Sequence, residues 1–270
     1  MNRKCILIGV EGHHDQAFLS KVLRELLGFS KCEDRSNLDP LWNKFIPVYP
    51  PKSGRMNIRL DMPSILHTDT LSVAIYVCEG DSLIPNLMTK LADIDYSSSL
   101  MAFAIVADTD KSTPTEVAKK YYDGFKEYFP DFPTEVGKTG AIIESVPRLG
   151  LYILPNNSDQ GALETLLCEC GEVAYPVLME RAKSYISQFS QEELKQIKIK
   201  WKPFDKEKAT VAAVASILKP GKTNTVSIAD NAWVSTETQQ QILCLQDLTL
   251  FLRELISIDA LSVTSPKDSN

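Results

Sequence analysis

The sequence predicts an α/β protein in which a mainly parallel β-sheet is flanked by helices. Short apolar segments, of the length of strands, alternate with segments whose apolar residues recur at helical spacing. This alternation is typical of parallel sheets that are covered on both faces. After Pro155 only the helical pattern continues. The last part of the chain is therefore predicted to be a C-terminal helical extension.

The individual elements follow from the apolar runs and from the residues that start or stop them. Glu11 and Gly12 end the first apolar run, and Gly28 is a fitting end for the first helix. Thr113 is expected to be an N-cap, with Pro114 as the first helical residue. The predicted elements are strands over 4–10, 71–77, 100–107, 141–146 and 149–154, and helices over 15–29, 83–91, 114–128, 161–189, 206–218 and 244–256.

The same patterns predict how the chain is organised. The expected regions are an α/β domain over 1–160, a helical extension packed on it over 161–264, and a disordered tail over 265–270. Residues 30–70 are expected to form an irregular insertion, because five prolines break any long element there. Short strands over 45–49 and 58–60 are compatible with this insertion. A loop over 220–231 is expected to separate the last two helices.

Composition limits the classes of function. The formal charge of −6 argues against coating on nucleic acid through bulk charge, so any nucleic-acid binding is expected to be local. The densest basic segment is 195–208, where six lysines and two acids are interleaved with Trp201 and Phe204. A solvated connection between helices and a nucleic-acid surface both remain open for it. No segment approaches the ~18 apolar residues of a membrane span, which predicts a soluble, cytoplasmic protein with no membrane partner.

The six cysteines are scattered and form no paired CxxC motifs at zinc-finger distance. They are expected to be reduced structural residues. Cys168 and Cys170 form a CxC on a predicted helix, where residues i and i+2 do not share a face. A metal or redox role for that pair is not expected.

Acidic residues follow the predicted strands at the positions where chemistry is expected. Glu11 follows the first strand, and Asp108 and Asp110 follow the strand over 100–107. Because the carboxyl ends of parallel strands meet at one edge of a sheet, these carboxylates are expected to converge. An oxygen-rich set of this kind suits Mg²⁺ or Mn²⁺, and such an ion assists phosphodiester chemistry more readily than acyl transfer.

Two segments resemble the signature motifs of Toprim domains. The first is VEGHHDQAFL, with Glu11 after a strand, and the second is IVADTD, whose DxD follows a later strand. Further on, LYILPNNSDQGALETLL and DKEKATVAAVASILKPG look like small stand-alone Toprim-related proteins akin to OLD-family nucleases. The resemblance covers about residues 4–167 well. It implies a Toprim/Rossmann-like sheet with a divalent-metal site.

Residue by residue, the resemblance implies catalytic and metal-binding roles for three acids, a metal-binding role for a fourth, Glu164, and support from Asp15. Glu11 matches the Toprim glutamate, a metal ligand or general base, and Asp108 and Asp110 match the metal-binding DxD. Glu164 matches a downstream glutamate that supports the metals in OLD-type nucleases. A surface acid that interacts with the helix dipole explains Glu164 equally well. Asp15 matches an acid often found just after the glutamate motif.

Other residues near the predicted site are candidates for support. At most one of His13 and His14 is expected to face the crevice, because adjacent residues at a turn usually point apart. Lys138 and Lys111 could neutralise a phosphate, although exposed loop lysines explain them as well. Asn156 stands where Toprim-related proteins commonly carry an aspartate, so one metal and two metals both remain open.

These observations predict a divalent-metal-dependent nuclease or phosphotransferase that acts on nucleic-acid phosphodiesters, with DNA and RNA both open as substrates. A partner protein such as an ATPase is compatible with the resemblance. The alternative is a non-catalytic Toprim-like module that binds nucleic acid or a partner protein. The sequence contains no GxSxG nucleophile motif and no complete GxxxxGK[ST] phosphate loop, which argues against a serine hydrolase and a P-loop ATPase.

Overall fold

The computed structural model describes residues 3–49, 61–78 and 82–257, and these residues form a seven-stranded sheet in the order β2-β3-β4-β1-β5-β7-β6. The central strands β4, β1, β5 and β7 are parallel, whereas β3 and β6 are antiparallel to their central neighbours. The strands are β1 Lys4–Val10, β2 Ser30–Lys31, β3 Ser64–His67, β4 Leu71–Val77, β5 Leu100–Asp108, β6 Ala141–Ile143 and β7 Arg148–Leu154.

Helices cover both faces of this sheet. Two short 3₁₀ helices, Arg35–Asn37 and Pro40–Lys44, lie in the irregular region before β3. The α-helices of the described residues are α1 His13–Leu27, α2 Leu83–Ala92, α3 Tyr96–Ser99, α4 Pro114–Phe125, α5 Leu163–Ala174, α6 Pro176–Ser187, α7 Gln191–Gln196, α8 Asp205–Leu218, α9 Asn224–Asp230, α10 Thr236–Gln241 and α11 Leu243–Leu255. The α/β prediction is therefore confirmed.

The two faces of the sheet bury two separate apolar cores. In β1, Ile6, Ile8 and Val10 contribute to the core that also contains α1, whereas Cys5 and Leu7 contribute to the core that contains α2 and α4. Alternate residues of a strand point to opposite faces, so a continuous apolar run fits a strand that is buried on both sides. Helices α5, α6, α8, α9 and α11 pack on the α1 face.

Several predicted elements are confirmed nearly to the residue. Strand β1 has the predicted bounds, and α1 ends at Gly28, whose φ of 72° is the left-handed conformation that favours glycine. Helix α4 begins at Pro114 after a capping box in which Thr113 and Glu116 exchange hydrogen bonds. These local signals set the ends of the helices that flank the candidate site.

The C-terminal half differs from the prediction in two ways. The single helix expected over 161–189 is two helices, because the chain breaks at Tyr175 and Pro176 starts α6. Proline has no backbone N–H for the preceding turn, so it fits the first position of a new helix. The expected loop over 220–231 contains α9, and the helix α10 follows before α11.

The region over 30–70 contains more sheet than predicted. Strands β2 and β3 extend the sheet beyond β4 as an antiparallel edge. Residues 45–49 do not form the expected strand. They follow the 3₁₀ helix Pro40–Lys44, which is anchored to β4 because the Trp42 indole donates a hydrogen bond of 2.8 Å to the Ser72 hydroxyl. The predictions for 58–60 and for the tail at 265–270 lie outside the described residues.

The parallel register brings the carboxyl ends of the central strands together. Val10 of β1 lies beside Val77 of β4 and Val106 of β5, and Asp108 of β5 lies beside Leu154 of β7. Residues that follow these positions emerge at one edge of the sheet. Within the residues that the structure describes, none of the helices combines the length and apolar character required to cross a bilayer.

Candidate functional site

The acids predicted from the strand ends line one cavity at the carboxyl edge of the sheet. Glu11 follows β1, and Asp108 ends the neighbouring strand β5. Both line a cavity of about 260 Å³ together with Asp110 and with Lys120 of α4. The structure thus brings together the three carboxylates that the sequence placed at strand ends.

Asp108 links the strand β5 to the start of α5. Its Oδ1 atom accepts a hydrogen bond of 2.9 Å from the backbone N–H of Leu163, the first residue of α5. The first N–H groups of a helix have no partner within the helix, so Asp108 caps α5 from a neighbouring strand. This contact places Glu164, the next residue of α5, behind the cavity.

Thr109 holds the turn between the two aspartates. This buried residue accepts a hydrogen bond of 2.8 Å from the Gly161 N–H. Its hydroxyl also lies 3.0 to 3.1 Å from the carbonyl oxygens of Leu154, Asp159 and Gly161, to which its one hydrogen can be donated. Asp110 has a φ of 49°, and its N–H donates to Gly161 O at 2.8 Å. The DTD turn is therefore tied to the loop before α5.

Glu11 is held by two residues of α4 that the sequence reasoning did not identify. The Tyr121 hydroxyl donates a 2.5 Å hydrogen bond to Glu11 Oε1, and Lys120 Nζ lies 3.7 Å from the same oxygen. Tyr121 shares the buried face of α4 with Val117 and Phe125. A tyrosine on the buried face of a helix usually directs its hydroxyl to a polar partner, so the position of Tyr121 was the sequence signal for a contact of this kind.

Two further acids lie behind the cavity and are almost entirely buried. Asp15 is 7% exposed and Glu164 is 5% exposed. Asp15 lies in the first turn of α1, where the backbone of Gly12 partly offsets the rise in its pKa. Glu164 Oε1 lies 2.9 Å from His14 Nδ1. Both acids also occupy first turns of helices, where the helix dipole favours negative charge.

The proximity of these carboxylates changes their proton affinities. Burial, followed by the charges of Glu164 and Glu11, raises the pKa of Asp15 to about 7. Burial and then the charge of Asp15 raise the pKa of Asp108 well above its usual value, and further acids of the site add to this effect. Burial and the Glu11 charge also raise the pKa of Tyr121, so its hydroxyl remains a donor. The site carries more negative charge than its surroundings compensate.

The carboxylates are not arranged around a common point. Among the residues that the structure describes, no three His, Cys, Asp or Glu side chains are placed to hold a metal ion together. Instead, Glu11 is turned to Tyr121, Asp108 to the start of α5, and Glu164 to His14. These acids suit a hard divalent cation in charge and in donor type, because carboxylates are negatively charged and present only oxygen ligands.

The remaining predicted residues have other contacts. His13 Nε2 lies 3.0 Å from Asp61 Oδ1, so the two adjacent histidines have different partners. Asn156 shapes the loop after β7, since its Oδ1 atom accepts hydrogen bonds from the N–H groups of Ser158 and Asp159. Its amide also donates to the Asp159 carboxylate at 2.7 Å.

Lys111 and Lys138 are exposed and are not among the residues that line the carboxylate cavity. Their carbonyl groups accept hydrogen bonds from the side-chain amides of Gln160 and Asn157, respectively. All six cysteines are free thiols. Burial raises the pKa of the Cys168 thiol to about 12, which leaves it protonated at neutral pH.

Comparison with known proteins identifies the family. Residues 6–257 match the family described as "Protein of unknown function (DUF3226)". The chain belongs to this family. The crystal structure of hypothetical protein PH0156 from Pyrococcus horikoshii OT3 is similar to the DUF3226 fold described above, with a TM-score of 0.50 and 19% sequence identity over 94% of this chain and 95% of that chain. At that identity the similarity shows the fold alone. No curated protein matches the sequence.

Proposed function

We propose that this protein is a divalent-metal-dependent nuclease or phosphotransferase that acts on nucleic-acid phosphodiesters. The observation that carries the proposal is the acid cluster at the carboxyl edge of the sheet, where Asp15 and Glu164 are buried and where burial and neighbouring carboxylates raise the pKa values of Asp15 and Asp108. Burying several carboxylates costs several kcal/mol unless cations or hydrogen bonds compensate. A bound Mg²⁺ or Mn²⁺ supplies such compensation.

The residues that would hold the ion are Asp108, Asp110 and Glu11, with support from Asp15 and Glu164. When bound, a divalent cation there would supply Lewis-acid activation of a phosphate and of a water molecule. If Glu11 gives up its contacts with Tyr121 and Lys120, its carboxylate would be available as a metal ligand or as a general base. The order of the acids, with a glutamate after β1 and a DxD after the adjacent β5, supports a Toprim-type centre.

Two further side chains near the cavity have roles in this proposal. Lys120 lines the cavity and lies 3.7 Å from Glu11 Oε1, so its ammonium group can balance the charge of an incoming phosphate. His14 contacts Glu164 and would orient that carboxylate toward the acid cluster. The role of His14 uses a contact that is already present, whereas the role of Lys120 requires a new contact with the phosphate.

The test is cleavage of single- and double-stranded DNA and RNA with Mg²⁺ or Mn²⁺. Asp108→Asn is the informative variant, because its amide oxygen can still accept the Leu163 N–H and so preserve the cap of α5. We expect at least a 100-fold loss of cleavage by Asp108→Asn, complete loss in EDTA, and normal cleavage by Asp123→Asn, an exposed acid of α4 paired with Lys126. Cleavage by Asp108→Asn at the wild-type rate would refute the proposal.

A second candidate function is a non-catalytic module that binds nucleic acid or a partner protein. The observation in its favour is that Tyr121 and Lys120 already engage Glu11, while Asn156 contributes no carboxylate. This alternative expects no cleavage by the wild-type protein with either metal. Under this alternative, the Glu11→Gln variant should bind nucleic acid or a partner protein with the same affinity as the wild-type protein.

A further inference from the structure

The connection between α7 and α8 carries a concentrated basic surface. The segment over 195–208, called here the lysine segment, includes the end of α7, a non-helical stretch and the start of α8. All of its lysine side chains are exposed. These are Lys195, Lys198, Lys200, Lys202, Lys206 and Lys208.

Acids of the same segment offset only part of these positive charges. In the part of the chain that the structure describes, no lysine of the segment forms a salt bridge, whereas Lys183 and Lys219 pair with Glu172 and Asp230. The segment contains two acids, Asp205 and Glu207, and the Asp205 carboxylate accepts a hydrogen bond from the backbone N–H of Lys202. The lysine segment is therefore a local positive surface on a protein of formal charge −6.

Apolar and aromatic side chains accompany the lysines. Along the non-helical stretch, Ile197, Ile199 and Trp201 alternate with three of the lysines. Ile197 is 65% exposed and Ile199 is 44% exposed, while Trp201 is partly exposed. Just before α7, the exposed rings of Tyr185 and Phe189 pack edge to face with centroids 5.2 Å apart. Exposed rings of this kind provide stacking surfaces for bases.

We propose that the lysine segment binds a single-stranded nucleic acid. Alternating lysines on a non-helical backbone match a polyanion with regularly spaced charges, and the interleaved apolar groups can contact bases without reading their sequence. A helix with one apolar face would favour a membrane surface, but the centre of this segment is not helical.

The surface belongs to the same helical layer as the carboxylate site. Helix α5, which begins beside Asp108 and carries Glu164, packs against both α6 and α8. A nucleic acid held by the lysine segment would therefore contact the start of α8, a helix that packs on the helix carrying Glu164. This link deepens the proposed function by naming its substrate class, and it rests on that function, whereas binding itself can be measured without metal.

The experiment titrates the full-length protein with a fluorescent single-stranded oligonucleotide in EDTA. Anisotropy gives the affinity, and Trp201 reports contact because Trp42 and Trp233 are fully buried. If about four lysines contact phosphates, affinity should fall roughly 50-fold between 50 and 200 mM salt. Combining Lys198→Glu, Lys200→Glu and Lys202→Glu should weaken binding at least 10-fold and flatten the salt dependence.

A matched control reverses three exposed lysines elsewhere, Lys31, Lys119 and Lys222, and therefore has the same net charge. Retained binding by this control, with the loss confined to the lysine-segment variant, supports the proposal. Equal losses in both variants, or no binding at 50 mM salt, would overturn it. Competition by poly-glutamate or by anionic phosphatidylserine vesicles as strong as by the oligonucleotide would also overturn it, in favour of an acidic protein or a membrane surface.

The binding experiment separates this inference from the proposed catalysis. Because the oligonucleotide titration is run in EDTA, it measures binding without the metal that the proposed catalysis requires. If the wild-type protein binds the oligonucleotide but does not cleave it with Mg²⁺ or Mn²⁺, the inference stands and the nuclease is refuted. Cleavage rates should also be compared at a substrate concentration below saturation. If the lysine-segment variant cleaves as fast as the wild-type protein there, this surface has no role in substrate binding.

Discussion

Asp15 lies nearly out of solvent beside Glu164 and Glu11, and its ionisation is therefore costly. In the unfolded chain its carboxyl group loses its proton near the usual pKa of 3.8, whereas in the folded protein the pKa is about 7. The folded state keeps this proton over a pH range in which the unfolded state has lost it. This contribution to stability is complete at low pH and is lost as the pH rises through about 7.

The account predicts that Asp15→Asn changes the pH dependence of stability. Without metal, the wild-type protein should lose on the order of a few kcal/mol between pH 5 and pH 8 from this group, and the variant should lose less. The measurement is Tm in EDTA at both pH values, with the exposed Glu180→Gln on α6 as control. A variant whose Tm falls as much as that of the wild-type protein over this range would contradict the assigned cause.

The sequence allowed only some of the site residues to be predicted. Glu11, Asp108 and Asp110 follow apolar strands, and parallel strands place their carboxyl ends at one edge. The contact of Tyr121 with Glu11 joins residues that are 110 positions apart and depends on how α4 crosses the sheet. No local sequence pattern therefore indicates this contact.

At the scale of elements, the strands and the helices with strong end signals were predictable. Thr113 and Pro114 marked the start of α4, and apolar runs marked β1 and β5. The prediction failed where one apolar pattern continued across a break, as at Pro176, and where short polar helices such as α9 lack a long apolar stripe. Tertiary packing rather than local periodicity stabilises such short helices.

The contact between β7 and α11 gives a prediction at this scale. A methyl group added at Gly150 would meet Leu255 Cδ1 at 2.8 Å, Phe251 Cζ at 3.0 Å and Ala104 Cβ at 3.1 Å. Overpacking of this kind typically costs about 1–3 kcal/mol, so Gly150→Ala should lower Tm by several degrees. Gly137→Ala is the control, since the added methyl group would meet only Gly140 O at 3.5 Å. An unchanged Tm for Gly150→Ala would show that α11 can move away from β7.

At the scale of the whole molecule, charge is distributed unevenly. The protein is acidic overall. Acids at the sheet edge are concentrated around one cavity, whereas the exposed lysines of the lysine segment are concentrated between α7 and α8. A cation at the first location and a polyanion at the second would each reduce unfavourable like-charge interactions. In the proposed function, the first location is the site of chemistry and the second is the surface that binds the substrate.

The most direct test of the central claim is calorimetric titration with Mn²⁺ at pH 8, above the Asp15 pKa of about 7. The wild-type protein and Asp123→Asn should bind Mn²⁺ with the same affinity, and Asp108→Asn should bind at least 10-fold more weakly while its Tm in EDTA does not decrease. Such a result would support a divalent-cation site built from the acids at the strand ends. Equal affinities for Asp108→Asn and the wild-type protein, or no binding by either, would contradict it.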